Sequence, residues 1–236
     1  MPSQDELNVA IADLYAAFEE YRLPTSLDAA PKHDAMKVLA TLQSAPLVEL
    51  PADRLGPFAG SALYTIGTLN DYKYFLPRIF ELSFRPEYVG LEPAAIANTL
   101  VYGQWLEWPL VERGAICHFL RTAWLVAREG DIEKFDADSF LCANCRLGEN
   151  PATLLSDWLP FSSEHAVTQV ASLASSILPD ISKAGFWADV SEKARQDVIS
   201  WIASDMIWRS LKDAESRLSD EHRWIVTRAL ELLVRH

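Results

Sequence analysis

The sequence predicts an all-α fold, a compact multi-helix domain of about ten helices, and three observations predict it. Apolar residues recur at spacings of three and four along most of the 236 residues. No run alternates apolar and polar side chains long enough for a half-buried strand; Leu47-Val48-Glu49-Leu50 comes nearest and is too short to build a sheet. Caps and breakers (Ser, Asp, Asn, Gly, Pro) punctuate the periodic segments at short intervals, and short connections favour antiparallel neighbours. The organisation expected is one all-helical domain over 1–236. If the chain divides, Gly148 to Pro151 is the place. No fixed repeat period occurs, which argues against a regular solenoid and leaves an irregular stack of helical pairs open.

In chain order, Ser3 to Arg22 reads as a helix with Leu7, Ile11, Leu14, Tyr15, Phe18 and Tyr21 in one stripe, and Ser3 with Glu6 forms a capping box. Leu23-Pro24 stops it. His33 to Leu42 reads as a second helix, and Phe58 to Ile66 as a small-residue helix that a neighbour could approach closely. The next segment, Asn70 to Ser83, is densely aromatic. Asn70 or Asp71 caps it, and Tyr72, Phe75, Leu76, Ile79 and Ser83 share a face. Pro77 deletes a helical hydrogen bond there, so the expectation is one kinked helix or two short ones meeting at Pro77.

Pro93 enters a helix over Glu92 to Gln104 at a first-turn position. Trp105, Trp108 and Pro109 make an aromatic corner, and Leu110 to Arg128 a long amphipathic helix closed by Glu129-Gly130. Asp136 or Asp138 caps a helix to Leu147. Asn150-Pro151 opens a short one to Leu159. Ser162 or Ser163 caps one that runs toward Pro179. Ser191 caps a single long helix onward to Leu218, and Ser219 caps the last.

Half the residues are hydrophobic, so a substantial core is available and the composition argues against global disorder. Asp and Glu number 33 against 21 Lys and Arg, a net charge of −12, which repels nucleic-acid phosphates and anionic membranes and suits a basic protein partner or, as the plainer reading, a solubilising acidic surface. The start, MPSQDEL, lacks the basic n-region of a signal peptide, and no uncharged run is long enough to span a bilayer. With three cysteines and no export signal, reduced thiols in the cytoplasm are expected.

Asp71-Tyr72-Lys73-Tyr74-Phe75-Leu76-Pro77-Arg78 resembles a motif of bacterial all-helical proteins: an acidic residue, an aromatic, a basic residue, then Phe-Leu-Pro-Arg. Gly67 and Glu81-Leu82 fit the same pattern. The resemblance covers about fifteen residues and implies a bacterial, cytoplasmic, mostly helical protein. It brings no catalytic residues with it.

The remaining chemistry is sparse. Cys142 and Cys145 form a C-x-x-C pair, but metal ligation needs two more ligands and a redox motif needs a preceding strand, so core packing is favoured and the pair stays a weak metal candidate. His33-Asp34 alone lacks the further ligands of a metal-dependent hydrolase. Asp205, between Trp201 and Trp208, could hold a raised pKa, against the plainer reading of a surface charge or a pair with Arg209. No nucleophile elbow and no phosphate loop occurs. No cofactor is expected. Tyr102, Trp105, Trp108 and Pro109, rimmed by Glu107 and Glu112, offer an aromatic patch in an acidic surround, and Tyr74 with Arg78 a polar edge of a binding surface; the plainer reading of both is core. The leading expectation is a non-catalytic protein-binding protein, such as an immunity protein that neutralises a basic cognate toxin. A helical enzyme with a small metal or ligand site and a self-associating scaffold are the alternatives.

Overall fold

In the computed structural model, which describes residues 4–85 and 91–234, the all-α expectation holds: twelve α-helices and no strand among the described residues. They are α1 (Gln4–Ala17), α2 (Ala35–Leu42), α3 (Ala52–Ala59), α4 (Leu69–Ser83), α5 (Pro93–Tyr102), α6 (Leu110–Ala127), α7 (Ala137–Arg146), α8 (Pro151–Leu155), α9 (Glu164–Ile177), α10 (Glu192–Ile202), α11 (Asp205–Glu215) and α12 (Asp220–Leu233). None is long and apolar enough to cross a membrane.

Several of the expected caps form. Asp136 accepts from the Ser139 amide, Ser163 from Ala166 and Ser191 from Ala194. Asn150 caps α8, and Pro93 begins α5. Ser3 lies outside the described residues.

Three expectations need correction, and the alternatives left open at Pro77 are decided. The cap of α4 is Thr68, which forms a capping box with Asp71; Asn70 is not the cap. Thr68 wins because its hydroxyl accepts from the Asp71 amide while Asp71 answers the Thr68 amide at 2.7 Å, so two open donors are satisfied at once. Of the two alternatives at Pro77, the single helix forms: α4 runs unbroken past it. An interior proline costs about 3 kcal/mol, and burial of Tyr72, Phe75, Leu76, Ile79 and Phe80 on that one helix outweighs it. The small-residue helix begins earlier than expected, at Ala52, and ends at Ala59; Gly60 to Ile66 is a turn. The long helix from Ser191 is two, because Ser204 takes up a cap position. Its hydroxyl serves the Ile207 amide and the Trp201 carbonyl, turning the chain between α10 and α11.

The chain forms two compact units, one ending at Ala123 and the other beginning at Trp124. Gly148 to Pro151 therefore lies inside the second unit, between α7 and α8. The first unit packs α4 against α1, α3 and α5, with Phe58 edge-on to Phe75 and Phe80 against Phe119, both pairs at 5.1 Å between ring centres. In the second unit α12 packs most extensively on α9. A tryptophan cluster lies there too: Trp158 stacks on Trp201 at 5.6 Å and meets Trp124 edge-on at 4.9 Å.

Candidate interaction surface at the Tyr102–Val111 corner

The corner between α5 and α6 has an inner and an outer layer. Gly103 ends α5, and a Cβ there would sit 2.9 Å from Leu63 Cδ1, so a larger residue would require the end of the Leu63 side chain to shift. A single 3-10 turn, Trp105–Glu107, then leads to Trp108, whose indole Nε1 donates back to the Gly103 carbonyl at 2.9 Å. That bond folds Trp108 inward.

The inner layer is a buried ionic nest. Lys73 Nζ on α4 lies 2.6 Å from Glu112 Oε2 on α6, with side-chain exposures of 6% and 1%. Tyr21, just beyond α1, donates to Glu112 Oε1 at 2.6 Å and accepts from Lys73 Nζ at 2.9 Å. The same ammonium stands 4.3 Å from the centre of the Trp108 ring, a cation–π contact. Phe18 meets Trp108 edge-on. Burial, with the Glu112 carboxylate that Tyr21 faces, pushes the Tyr21 phenol well above its ordinary pKa. Isolated, either charge would be costly here; together, with the phenol and the indole beside them, each offsets the other.

The outer layer is apolar. Tyr102, Leu106, Leu110 and Val111 are all exposed, Leu110 at 78%. Tyr64 joins them from the turn after α3, its ring 4.5 Å from that of Tyr102. Glu107 is the exposed acid among them. Both non-glycine residues with left-handed backbone among the described residues flank this tyrosine pair: Leu63 (φ 65°) and Gln104 (φ 55°). Such a conformation costs roughly 1–2 kcal/mol per residue and persists only where packing imposes it. Here it turns Tyr64 and Tyr102 outward together.

The six residues expected to contact a partner divide accordingly. Glu107 is exposed and Tyr74 half-buried, edge-on to Phe75 at 4.8 Å. Trp105, Trp108, Glu112 and Arg78 are buried. Of the two readings of Trp105 and Trp108, exposed anchors or core, the structure has the plainer one: both are internal. The reason is the 3-10 turn and the Trp108–Gly103 bond, which reverse the corner relative to a continued helix. Arg78 is likewise an internal tie. It donates from Nε to the Leu50 carbonyl at 3.0 Å, and Nη1 lies 2.7 Å from Glu81 Oε2. Tyr15 and Arg85 also hold Glu81, at 2.8 and 2.9 Å. Burial pulls the Glu81 carboxyl upward, but the hydrogen bonds from Arg78 and Tyr15 outweigh it and hold it below its ordinary value.

The other candidates resolve as structural parts. Cys142 and Cys145 are free thiols buried in α7; burial raises both, Cys145 to about 12, so neither is a ready thiolate. No group of three His, Cys, Asp or Glu side chains is placed to hold a metal among the described residues. His33 Nε2 lies 2.8 Å from the Thr65 hydroxyl, and Asp34 caps α2. Asp205 is 96% exposed and 3.8 Å from Arg209.

Sequence reading missed two carboxylate centres. Glu164 Oε1 receives the Ser219 hydroxyl at 2.5 Å and lies 2.9 Å from His222 Nδ1, joining the starts of α9 and α12. Those hydrogen bonds, Ser219 first, lower its pKa to about 2. The three residue types are those of a hydrolytic triad, but serine and imidazole meet the same carboxylate oxygen, so no relay runs from serine through histidine. Asp138 on α7 accepts from Trp187 Nε1 at 2.6 Å and the Ser176 hydroxyl at 2.9 Å. Desolvation raises it to about 6. The acids lie 38 to 58 residues from these serine, tryptophan and histidine partners, so no local signal could have revealed either centre.

No protein family, curated protein or solved structure matches this chain. The functional reading therefore rests on the residues themselves.

Proposed function

We propose that this chain is a non-catalytic protein-binding protein whose partner presents a basic surface, in the manner of an immunity protein masking a basic toxin. The observation that carries the reading is the exposed apolar corner, Tyr64, Tyr102, Leu106, Leu110 and Val111, beside Glu107 on a chain of net charge −12. Exposed apolar side chains gathered at one place mark interaction sites, and tyrosines are favoured anchors. The acidic surround speeds encounter with a basic partner, while the apolar anchors supply affinity. Self-association through the same corner is the second reading, favoured by its apolar character and opposed by the repulsion between two chains of charge −12.

The test compares the wild-type protein with the triple variant Y102S/L106S/L110S. Surface changes of this kind leave stability within about 0.5 kcal/mol per site. Tagged wild-type protein, recovered gently from its host, is expected to hold a stoichiometric basic protein that salt releases. The triple variant, folded by circular dichroism, is expected to bind it at least about 30-fold more weakly, the effect of losing one hot spot. Undiminished binding by the variant sinks the reading. A wild-type protein that comes clean and sediments as a dimer, while the variant sediments as a monomer, replaces it with self-association.

A further inference from the structure

Trp224 lies on the outer face of α12 at 67% exposure, in a chain whose Trp105, Trp108, Trp124, Trp158 and Trp187 are all buried. It walls a cleft of about 370 Å³ within the second unit, in the size range of small-ligand sites. Glu133 enters from the segment after α6, Ser172 from α9, and Glu221, Ile225 and Arg228 from α12. Glu133 and Glu221 are both exposed, and neither is in an ion pair among the described residues. His222 also lines the cleft, but its Nδ1 is engaged by Glu164. Arg228 lies 3.6 Å from Glu231. The pocket therefore combines an open indole face, two uncommitted carboxylates and one cation that already has an acid beside it.

We propose that this cleft is a binding site for an organic cation, a guanidinium or alkylammonium group seated on Trp224 with Glu133 and Glu221 as its counter-charges. The inference goes beyond the partner-binding reading: it concerns residues of the second unit and needs no protein partner. The indole is the best aromatic acceptor for a cation, and a guanidinium can stack on it while donating to a carboxylate in its own plane. The cation could arrive as a free metabolite or as an arginine or lysine side chain of a partner, and Arg228 separates these sources. It can receive the carboxylate of a free amino acid, whereas a side chain in a peptide brings none.

Indole ¹H–¹⁵N spectra of the full chain test this, with the W224F variant assigning the Trp224 signal. The probes are N-acetylarginine amide, free arginine and the uncharged analogue N-acetylcitrulline amide. Both arginine probes are expected to shift the Trp224 signal saturably, with Kd on the order of 1–10 mM. Binding is expected to fall about tenfold or more in E133Q/E221Q while the other indole signals stay in place, and the citrulline probe is expected to be inert. Equal affinity for the two arginine probes assigns the site to a peptide side chain; tighter binding of free arginine assigns it to a metabolite. No saturable shift by either arginine up to about 50 mM, or an equal shift by citrulline, overturns the proposal. Because Tyr102, Leu106 and Leu110 are untouched, failure here is distinct from failure at the corner.

Discussion

Glu112 and Asp138 make an instructive pair. Each is a carboxylate sheltered in one unit and hydrogen-bonded by an aromatic side chain, Tyr21 Oη in the first case and Trp187 Nε1 in the second, both at 2.6 Å. Glu112 also has Lys73 at 2.6 Å. Asp138 has the Ser176 hydroxyl and no cation among the described residues. Sheltered charge with a counter-charge becomes a rigid joint. Sheltered charge with only neutral donors becomes a group that prefers its proton, which is why Asp138 is raised to about 6. Glu164 marks the exposed limit: it is 38% exposed, and its serine and histidine partners share it with water.

Breaking the buried pair produces the largest effect. K73M or E112Q alone leaves an uncompensated buried group and is expected to cost roughly 3–5 kcal/mol. K73M/E112L, which removes both charges, is expected to recover most of that loss. Urea titration followed by tryptophan fluorescence measures both. Equal destabilisation by the single and double variants would mean that shape, not charge, governs the nest.

Asp138 gives a smaller effect with the opposite dependence on pairing. Its folded pKa, about 6, lies above the ordinary 3.8, so the folded state holds the proton more tightly. Its contribution is fully present below about pH 4 and is lost as pH rises toward 6, amounting to about 2 kcal/mol over that window. D138N keeps an acceptor for Trp187 and removes the titration. It is therefore expected to raise stability at pH 7 by about 1–2 kcal/mol and to flatten the profile between pH 4 and 6. Denaturation midpoints at several pH values decide, and an unchanged slope in D138N would assign the titration elsewhere.

The exposed centre comes last. E164Q or S219A is expected to cost about 1 kcal/mol or less, and less still in high salt, because water and ions already screen the site. A loss there as large as that of E112Q would erase the distinction between sheltered and exposed carboxylates.

Much of the fold was legible because helix signals are local. The stripe Val170, Leu173, Ala174 and Ile177 and the cap Ser163 lie within one helix length of each other, and α9 formed as read. The same is true of Pro93 in α5 and Asp136 at α7. The candidate surface was legible only in outline. Sequence reading located the corner and named Tyr102 and Glu107 there, but it left open whether Trp105 and Trp108 face solvent or core. In a 3-10 turn flanked by left-handed Gln104, the spacing rules that decide which side faces the core no longer apply.

The sequence by itself determined the helical class, most helix ends and the acidic balance, since periodicity, caps and composition act over a few residues or over the chain as a sum. Tertiary structure alone decided that Pro77 stays within one helix, that Lys73 finds Glu112 across 39 positions of sequence, and that Tyr64 meets Tyr102 at the surface. Those outcomes depend on which distant side chains share a dry environment. Burial makes an ion pair necessary there and lets packing outweigh a missing helical bond, and no local pattern encodes it.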